Sequence, residues 1–305
     1  MELRQLQYVL QIAAEKNFSR AADKLHIAQP SLSQQLSKLE KELEVMLFQR
    51  NTSSVELTYA GSKFVEQAQI ILDAVELLRQ EMSDISQLRT GHVVVGSMPI
   101  TGAHLLPHVL PVFKLKYPEV EITLLEDSSM NLEKLTASGQ TDLSLLSLPL
   151  EIPALDYEVL GEERIDLAVP PEHPLAIRSA NGTRTSLEEL RDEPFIVLKE
   201  GQGFRKMTME LCRNAGFEPR VVFESNNMET VQSLVATGMG VTLVPHFIAR
   251  APRSEFVPVY LPLADPTPSR TLVIAYRRGR YLSKAAEAFI ETFRSTVASL
   301  STDPY

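Results

Sequence analysis

Cysteine is nearly absent from this sequence: Cys212 is the only one in 305 residues. A lone thiol excludes an intramolecular disulfide and fits a reducing compartment. Long apolar runs are missing as well. Hydrophobic residues make up 44% of the chain and charged ones 23%, yet no stretch nears the roughly eighteen apolar residues that cross a bilayer. The opening Met1-Glu2-Leu3-Arg4-Gln5 has neither the basic start nor the apolar core of a secretory signal, so a cytoplasmic location is expected. Low-complexity sequence is absent too. So is any excess of positive charge. The net charge of −9 excludes indiscriminate coating of nucleic acid. Residues 1–58 are neutral: Arg4, Lys16, Arg20, Lys24, Lys38, Lys41 and Arg50 balance Glu2, Glu15, Asp23, Glu40, Glu42, Glu44 and Glu56. Residues 59–305 carry the whole deficit.

What is present has clear periodicity, and the length suggests two or three domains. Leu3, Leu6, Leu10 and Ala13 mark a one-faced helix over residues 2–16. Ser19 is placed to cap a short second helix, Arg20 to Leu25. His26-Ile27-Ala28 reads as a tight turn, and Pro30 suits the first position of a third helix because its missing N–H is unneeded there. Leu32, Leu36, Leu39 and Leu43 fall in one arc of that helix. Pro30, Gln34, Ser37, Lys38 and Lys41 point the other way, with Ser31 and Ser33 on the flanks. Any surface helix has a polar outer face. Helix, short helix, three-residue turn and Pro-started helix together point to a helix-turn-helix, whose polar face reads base edges. Two short β-like runs, Met46 to Arg50 and Ser54 to Thr58, flank turn residues Asn51-Thr52-Ser53 and suggest a hairpin wing.

From Thr58 to about Leu88 the spacing is that of one long helix. Ala60, Phe64, Ala68, Ile71, Val75, Leu78, Met82 and Ile85 form a heptad seam on a helix roughly 45 Å long. Such a seam needs a partner, either its twin in a second subunit or its own chain, and dimerisation is the favoured expectation. Residues 91–305 alternate strand and helix. Strands are expected at His92–Ser97, Val120–Leu125 and Asp142–Ser147, with helices at Leu105–Tyr117 and Leu132–Ser138. A second set runs Phe195–Leu198, helix Phe204–Ala215, Arg220–Glu224, helix Met228–Thr237 and strand Gly240–Val244. Pro258 to Pro268 reads as a connector. Thr271–Tyr276 and a helix over about 281–299 close the chain. The alternation predicts parallel sheets with crossover helices and a cleft between two α/β halves.

Several runs now resemble the LysR-type transcriptional regulators. They are Phe18 to Leu25, Gln29 to Leu36, Leu39 to Leu43, Leu47 to Arg50 and Leu57 to Gly61; further on, Ala236 to Val241 precedes Leu243-Val244-Pro245. The likeness spans essentially the whole chain. It implies a winged helix-turn-helix head (1–58), a linker and dimerisation helix (59–89) and a periplasmic-binding-protein-like effector domain (90–305). That domain would comprise α/β subdomain I (90–161 and 268–305) and subdomain II (162–267). By the same resemblance Gln29, Pro30, Ser31, Ser33 and Gln34 lie nearest the bases, and Ser19, Lys38 and Arg50 nearer the phosphates. The wing is often basic in that family. Here its tip is Asn51-Thr52-Ser53-Ser54, so Thr52 offers a hydroxyl in place of a cation and fewer counterions would be released.

The resemblance also places an effector between the halves. The lining would be Ser97, Met98, Pro99, Ile100, Thr101, Ser128, Ser147, Leu148, Gly203, Phe204, Asn226 and Val241. Hydroxyl donors and helix N-termini at the carboxyl ends of strands suit a small anion such as a carboxylate; equally, each serine or threonine could simply cap a helix. The implied partners are promoter DNA, that effector, further copies of the chain as a dimer or tetramer, and RNA polymerase as a candidate. No cofactor or metal is expected. His104 and His108 have metal-ligand spacing without a companion motif. No nucleophile elbow or phosphate loop is present, and Cys212 reads as packed core. A regulator, not an enzyme, is expected. An exported solute-binding protein would share the α/β halves but has no use for residues 1–90.

Overall fold

The computed structural model describes residues 1–50, 55–85, 91–179, 184–250, 256–264 and 266–301. The chain divides into two compact units, Met1–Leu88 with Ser138–Gln140, and the remainder from Arg89. Among the described residues, no helix is long and apolar enough to cross a membrane.

In the first unit, α1 (Leu3–Glu15), α2 (Phe18–Lys24) and α3 (Gln29–Leu43) precede a hairpin of β1 (Phe48–Arg50) and β2 (Val55–Leu57). The strands pair antiparallel, Phe48 opposite Leu57 and Arg50 opposite Val55. The hairpin tip, Thr52 included, lies outside the described residues. Asn17, not Ser19, caps α2: its side chain accepts from the Arg20 N–H at 3.0 Å. The helix therefore starts two residues before the expected Arg20, because an amide oxygen at residue 17 already satisfies a free N–H of the first turn. Pro30 sits one residue into α3, whose N-cap is Ala28. Val9, Ile12, Ala21, Ala22, Leu32, Leu36, Leu39, Leu47 and Phe48 form one buried cluster. Each large apolar side chain in it contributes roughly 1.5–3 kcal/mol.

A single helix, α4 (Tyr59–Ile85), follows. Ala68 on its seam is buried, whereas Ile71, Leu78 and Met82 stand 39%, 57% and 50% exposed.

The second unit is built on β3 (Gly91–Ser97), α5 (Pro99–Lys116), β4 (Val120–Glu126), α6 (Ser129–Ala137), β5 (Leu143–Ser147) and the 15-residue β6 (Leu155–Val169). Next come α7 (Pro174–Ser179), β7 (Pro194–Leu198), α8 (Gly203–Asn214), β8 (Arg220–Ser225) and α9 (Met228–Ala236). The chain ends through β9 (Thr242–Pro245), α10 (His246–Arg250), β10 (Val259–Pro262), β11 (Ser269–Arg277) and α11 (Lys284–Ser301).

The sheets are mixed, not purely parallel. β3 pairs parallel with β4 and β5, and β7 with β8, while β6, β9, β10 and β11 join antiparallel. The sequence reading missed β6 because after Leu155 its first half alternates half-buried and exposed positions among acidic residues, the mark of a half-solvated strand. It also took residues 258–268 for a connector, where Val259 to Pro262 pair with Asp166 to Val169. α5 begins at Pro99, not Leu105, since a proline needs no N–H partner in a first turn.

β6 determines the architecture. Its first part pairs with β11 and its last residues with β9 and β10, so one strand runs through two lobes. The first lobe centres on Val93, Val95, Phe113, Leu143, Ile274 and Phe289, the second on Ile165, Leu167, Phe195, Ile196, Val231 and Leu243. In the second lobe the Gly240-Val241 turn must be glycine-led, because a Cβ at Gly240 would sit 2.4 Å from the Pro194 carbonyl oxygen. That approach lets Val241 N–H donate to Pro194 and Ile196 N–H donate back to Val241.

Candidate functional site

Two candidate surfaces stand out, one in each unit. On α3 the division is sharp. Leu32, Leu36 and Leu39 are fully buried, while Gln29, Pro30, Ser31, Gln34, Ser37, Lys38 and Lys41 are exposed. Ser33 is half-buried, and its hydroxyl accepts from Gln29 Nε2 at 2.9 Å. Ser19, at the start of α2, is exposed. Its neighbour Arg20 donates to the Glu15 carbonyl at 2.6 Å, and Lys24 pairs with the Glu15 carboxylate at 2.6 Å. The Lys24 ammonium holds the Glu15 carboxyl below the usual range. Arg50 lies in β1.

Behind this face sits a joint that the sequence reading did not single out. Glu40 is 7% exposed, and its Oε1 accepts from the N–H of Leu47 at 2.8 Å and of Phe48 at 3.3 Å. The carbonyl of Leu47 in turn accepts from Thr58 N–H at 3.0 Å and from the Thr58 hydroxyl at 3.3 Å. Thr58 Oγ1 also accepts from Gly61 N–H at 2.9 Å. A Cβ on Gly61 would lie 2.0 Å from the Leu47 oxygen, so only glycine fits there. The end of α3, the wing and the start of α4 thus converge on one peptide.

Among the described residues of the second unit, cavities open between the lobes, among them two of unequal size. The larger, about 380 Å³, has Met98, then Pro99, Ile100 and His104 of α5, with Glu126 and Arg270, on one side. Opposite stand Leu198, Phe204, Asn226, Glu229, Gln232, Ile248 and Tyr260. The smaller, about 260 Å³, is lined by Ser129, Glu133, Ser147, Leu148 and Glu151 from the first lobe and Gly203, Lys206 and Met207 from the second. Gln202 borders both. Across the smaller one the lobes touch: Gly203 N–H donates to Ser129 Oγ at 2.8 Å, and Lys206 pairs with Glu151. Glu133 Oε2 accepts from the N–H groups of Glu151 and Ile152, each at 2.8 Å.

The twelve expected effector residues are dispersed. Met98, Pro99, Ile100, Phe204 and Asn226 line the larger cavity; Ser147, Leu148 and Gly203 line the smaller. Ser97, Thr101, Ser128 and Val241 line neither. Ser97 is buried with its hydroxyl on the Met98 carbonyl at 3.1 Å, and Ser128 caps α6 by accepting from Asn131 N–H at 3.4 Å. The Thr101 hydroxyl is buried without a hydrogen-bond partner among the described residues.

The polar heart of the larger cavity is Arg270, which the sequence reading passed over. Its side chain is 1% exposed and that of Glu163 9%. Arg270 Nε donates to Glu163 Oε2 at 2.8 Å, and Phe247 N–H donates to Glu163 Oε1 at 2.9 Å. The guanidinium lies over the rings of Phe204 and Phe247, 5.5 and 5.4 Å from their centroids. Burial pushes the Glu163 carboxyl up, against the pull of Arg270. Arg270 lies one residue before the Thr271–Tyr276 strand expected from the sequence, between Ser269 and Thr271, so no apolar pattern marked it. His104 Nδ1 lies 3.0 Å from the Ile100 carbonyl and its ring stacks on Phe247 at 4.8 Å. Among the described residues, no three His, Cys, Asp or Glu side chains are grouped to hold a metal ion. Cys212 is fully buried on α8, and burial pushes its thiol up to about 12.

Comparison with known proteins yields two family matches. Residues 3–62 match the bacterial regulatory helix-turn-helix protein model of the lysR family, and residues 86–298 match the LysR substrate binding domain. An uncharacterized HTH-type transcriptional regulator, YcgK of Bacillus subtilis, is 40% identical over 97% of this chain and 95% of its own. The DNA-binding transcriptional dual regulator OxyR of Escherichia coli is 34% identical over 97% of this chain and 95% of its own. Among solved structures, a full-length OxyR variant from Pseudomonas aeruginosa superposes with a TM-score of 0.75 at 29% identity, covering 97% of this chain and 94% of that one.

Proposed function

This chain belongs to the LysR family of bacterial transcriptional regulators, and from that membership we propose how it reads DNA and how it is switched. It is a DNA-binding regulator whose second unit is an effector-binding domain of two α/β lobes. The proposed reading head is the exposed face of α3, with Gln29, Pro30, Ser31, Ser33 and Gln34 against base edges. Ser19, Lys38, Arg50 and Thr52 are assigned to the phosphates. The single observation that carries this is the clean split of α3 into a buried leucine face and an exposed amide, hydroxyl and ammonium face.

We assign residues 1–58 to the head, 59–89 to the linker helix, and 90–161 with 268–305 and 162–267 to the two effector lobes. The effector is a small molecule held between those lobes, where both cavities lie. Its binding favours one arrangement of the lobes, and the oligomer repositions its heads on the promoter. The apolar seam left exposed on α4 at Leu78 and Met82 supports pairing with a second copy. Cytoplasmic action with RNA polymerase as a further partner follows from the same role, and the chain performs no catalysis in it.

Relatives include proteins named as hydrogen peroxide-inducible genes activators. Peroxide sensing through an intrachain disulfide needs two thiols, one of them an accessible thiolate. Cys212 stands alone and is fully buried, so the signal here is assigned to a bound molecule. Footprinting of the purified protein on the promoter of its own gene, at two salt concentrations and with a panel of carboxylates, tests the whole reading. Paired protected sites whose spacing changes with one compound are the expected result. Absence of protection on that promoter and on others at low salt overturns it.

A further inference from the structure

We propose that the larger cavity takes a monocarboxylate with an apolar body and that its carboxylate docks on the guanidinium of Arg270; this deepens the effector-switched reading above and rests on it. A guanidinium carries five N–H donors. Among the described residues, Arg270, at 1% exposure, makes one aligned hydrogen bond, Nε to Glu163. Its Nη2 lies 2.8 Å from the same carboxylate oxygen but is not aligned on it and has no hydrogen-bond partner among those residues. A buried cation with unmade hydrogen bonds is costly, and a carboxylate that accepts two of them in parallel removes that cost. The rings of Phe204 and Phe247 fix the guanidinium plane, leaving its edge for an incoming anion.

The remaining wall sets the rest of the ligand. Met98, Ile100, Leu198, Phe204 and Ile248 are apolar, which suits a hydrocarbon or aromatic body and leaves a sugar's hydroxyls unpaired. The Tyr260 hydroxyl is already engaged with Gln232 at 2.5 Å. Exposed Glu126 and Glu229 also border the cavity, so a second carboxylate on the ligand would meet like charge. Glu163 lies behind the guanidinium and competes with the ligand for it.

Calorimetry on the full-length protein decides this, with phenylacetate and hexanoate as probes and phenylacetamide and hexanamide as uncharged counterparts. The acids are expected to bind about tenfold or more tighter than the amides, the worth of a charge-assisted hydrogen bond. Glu163→Gln keeps an acceptor for Phe247 N–H, removes the competing charge and tightens the acids severalfold. The double variant Arg270→Gln with Glu163→Gln leaves no lone buried charge and is expected to lose the preference for acids. Equal binding of acids and amides, no binding of either acid, or an unchanged preference in the double variant overturns the proposal. Footprinting on the same preparations separates the two readings: intact DNA protection with no acid preference removes only the ligand assignment, whereas lost protection in the parent protein removes the regulator reading itself.

Discussion

Replacing Glu40 by alanine tests whether the joint behind α3 is held by one carboxylate. Its Oε1 receives the Leu47 N–H at 2.8 Å and the Phe48 N–H at 3.3 Å. Leu47 and Phe48 are 1% and 2% exposed, so water cannot take the carboxylate's place. Hydrogen bonds to a charged acceptor contribute about 1.5–3 kcal/mol, and the longer one belongs at or below the low end. The expected cost of Glu40→Ala is therefore about 3 kcal/mol, or roughly a 150-fold easier local opening. Glu40→Gln keeps an oxygen in place, loses the charge and should cost about 1 kcal/mol. Amide hydrogen exchange at Leu47 and Phe48 reads both numbers directly, without needing the two units to unfold together. The reasoning fails if exchange in Glu40→Ala stays within twofold of the parent, or if glutamine proves as damaging as alanine.

Other outcomes follow from the same geometry. Gln34→Ala removes an exposed amide from the middle of the α3 face and should weaken specific operator binding by about 1–3 kcal/mol; titration with operator and scrambled DNA would show a selective loss, and equal loss on both would sink the assignment. Gly61→Ala drives a Cβ to 2.0 Å from the Leu47 oxygen and should destabilise the head by about 1–3 kcal/mol, visible as a lower first unfolding transition. Cys212, its thiol pushed up to about 12, is thiolate in only about one molecule in ten thousand at pH 8. A disulfide reagent should therefore titrate it slowly in native protein and at once in urea, and a fast native reaction would contradict its burial.

How legible all this was depended on the period of each element. The leucines of α3 recur at helical spacing, so the buried and exposed faces are readable from the sequence, and Gln34 and Lys38 are exposed as that spacing requires. Glu40 was invisible for the same reason. It shares the buried side with Leu36 and Leu39, but a carboxylate there makes sense only once the turn after α3 brings the N–H groups of Leu47 and Phe48 back to it. β6 was lost because charged residues along its first half suppressed the apolar run by which buried strands announce themselves. The expected effector residues came from the family resemblance, carried over by position along the chain. Position alone could not tell which side chains line either cavity. Ser128 caps a helix while its neighbour Ser129 faces the smaller cavity. Arg270 and Glu163 are separated by 107 positions, a pairing that no local pattern contains.

The Leu47 peptide has one more implication. The Leu47 N–H is anchored to a side chain of α3 and its C=O to Thr58, the residue just before α4, with Gly61 pressed so close that no side chain can intervene. Such a weld leaves no swivel inside the head. A twist applied along α4 is delivered to α3 almost without slack, as torque through a shaft keyed to its gear. Two heads carried on paired shafts would then hold their spacing on DNA as a mechanical constant of the oligomer. A change of operator spacing would have to originate beyond the head, in how the shafts themselves are turned.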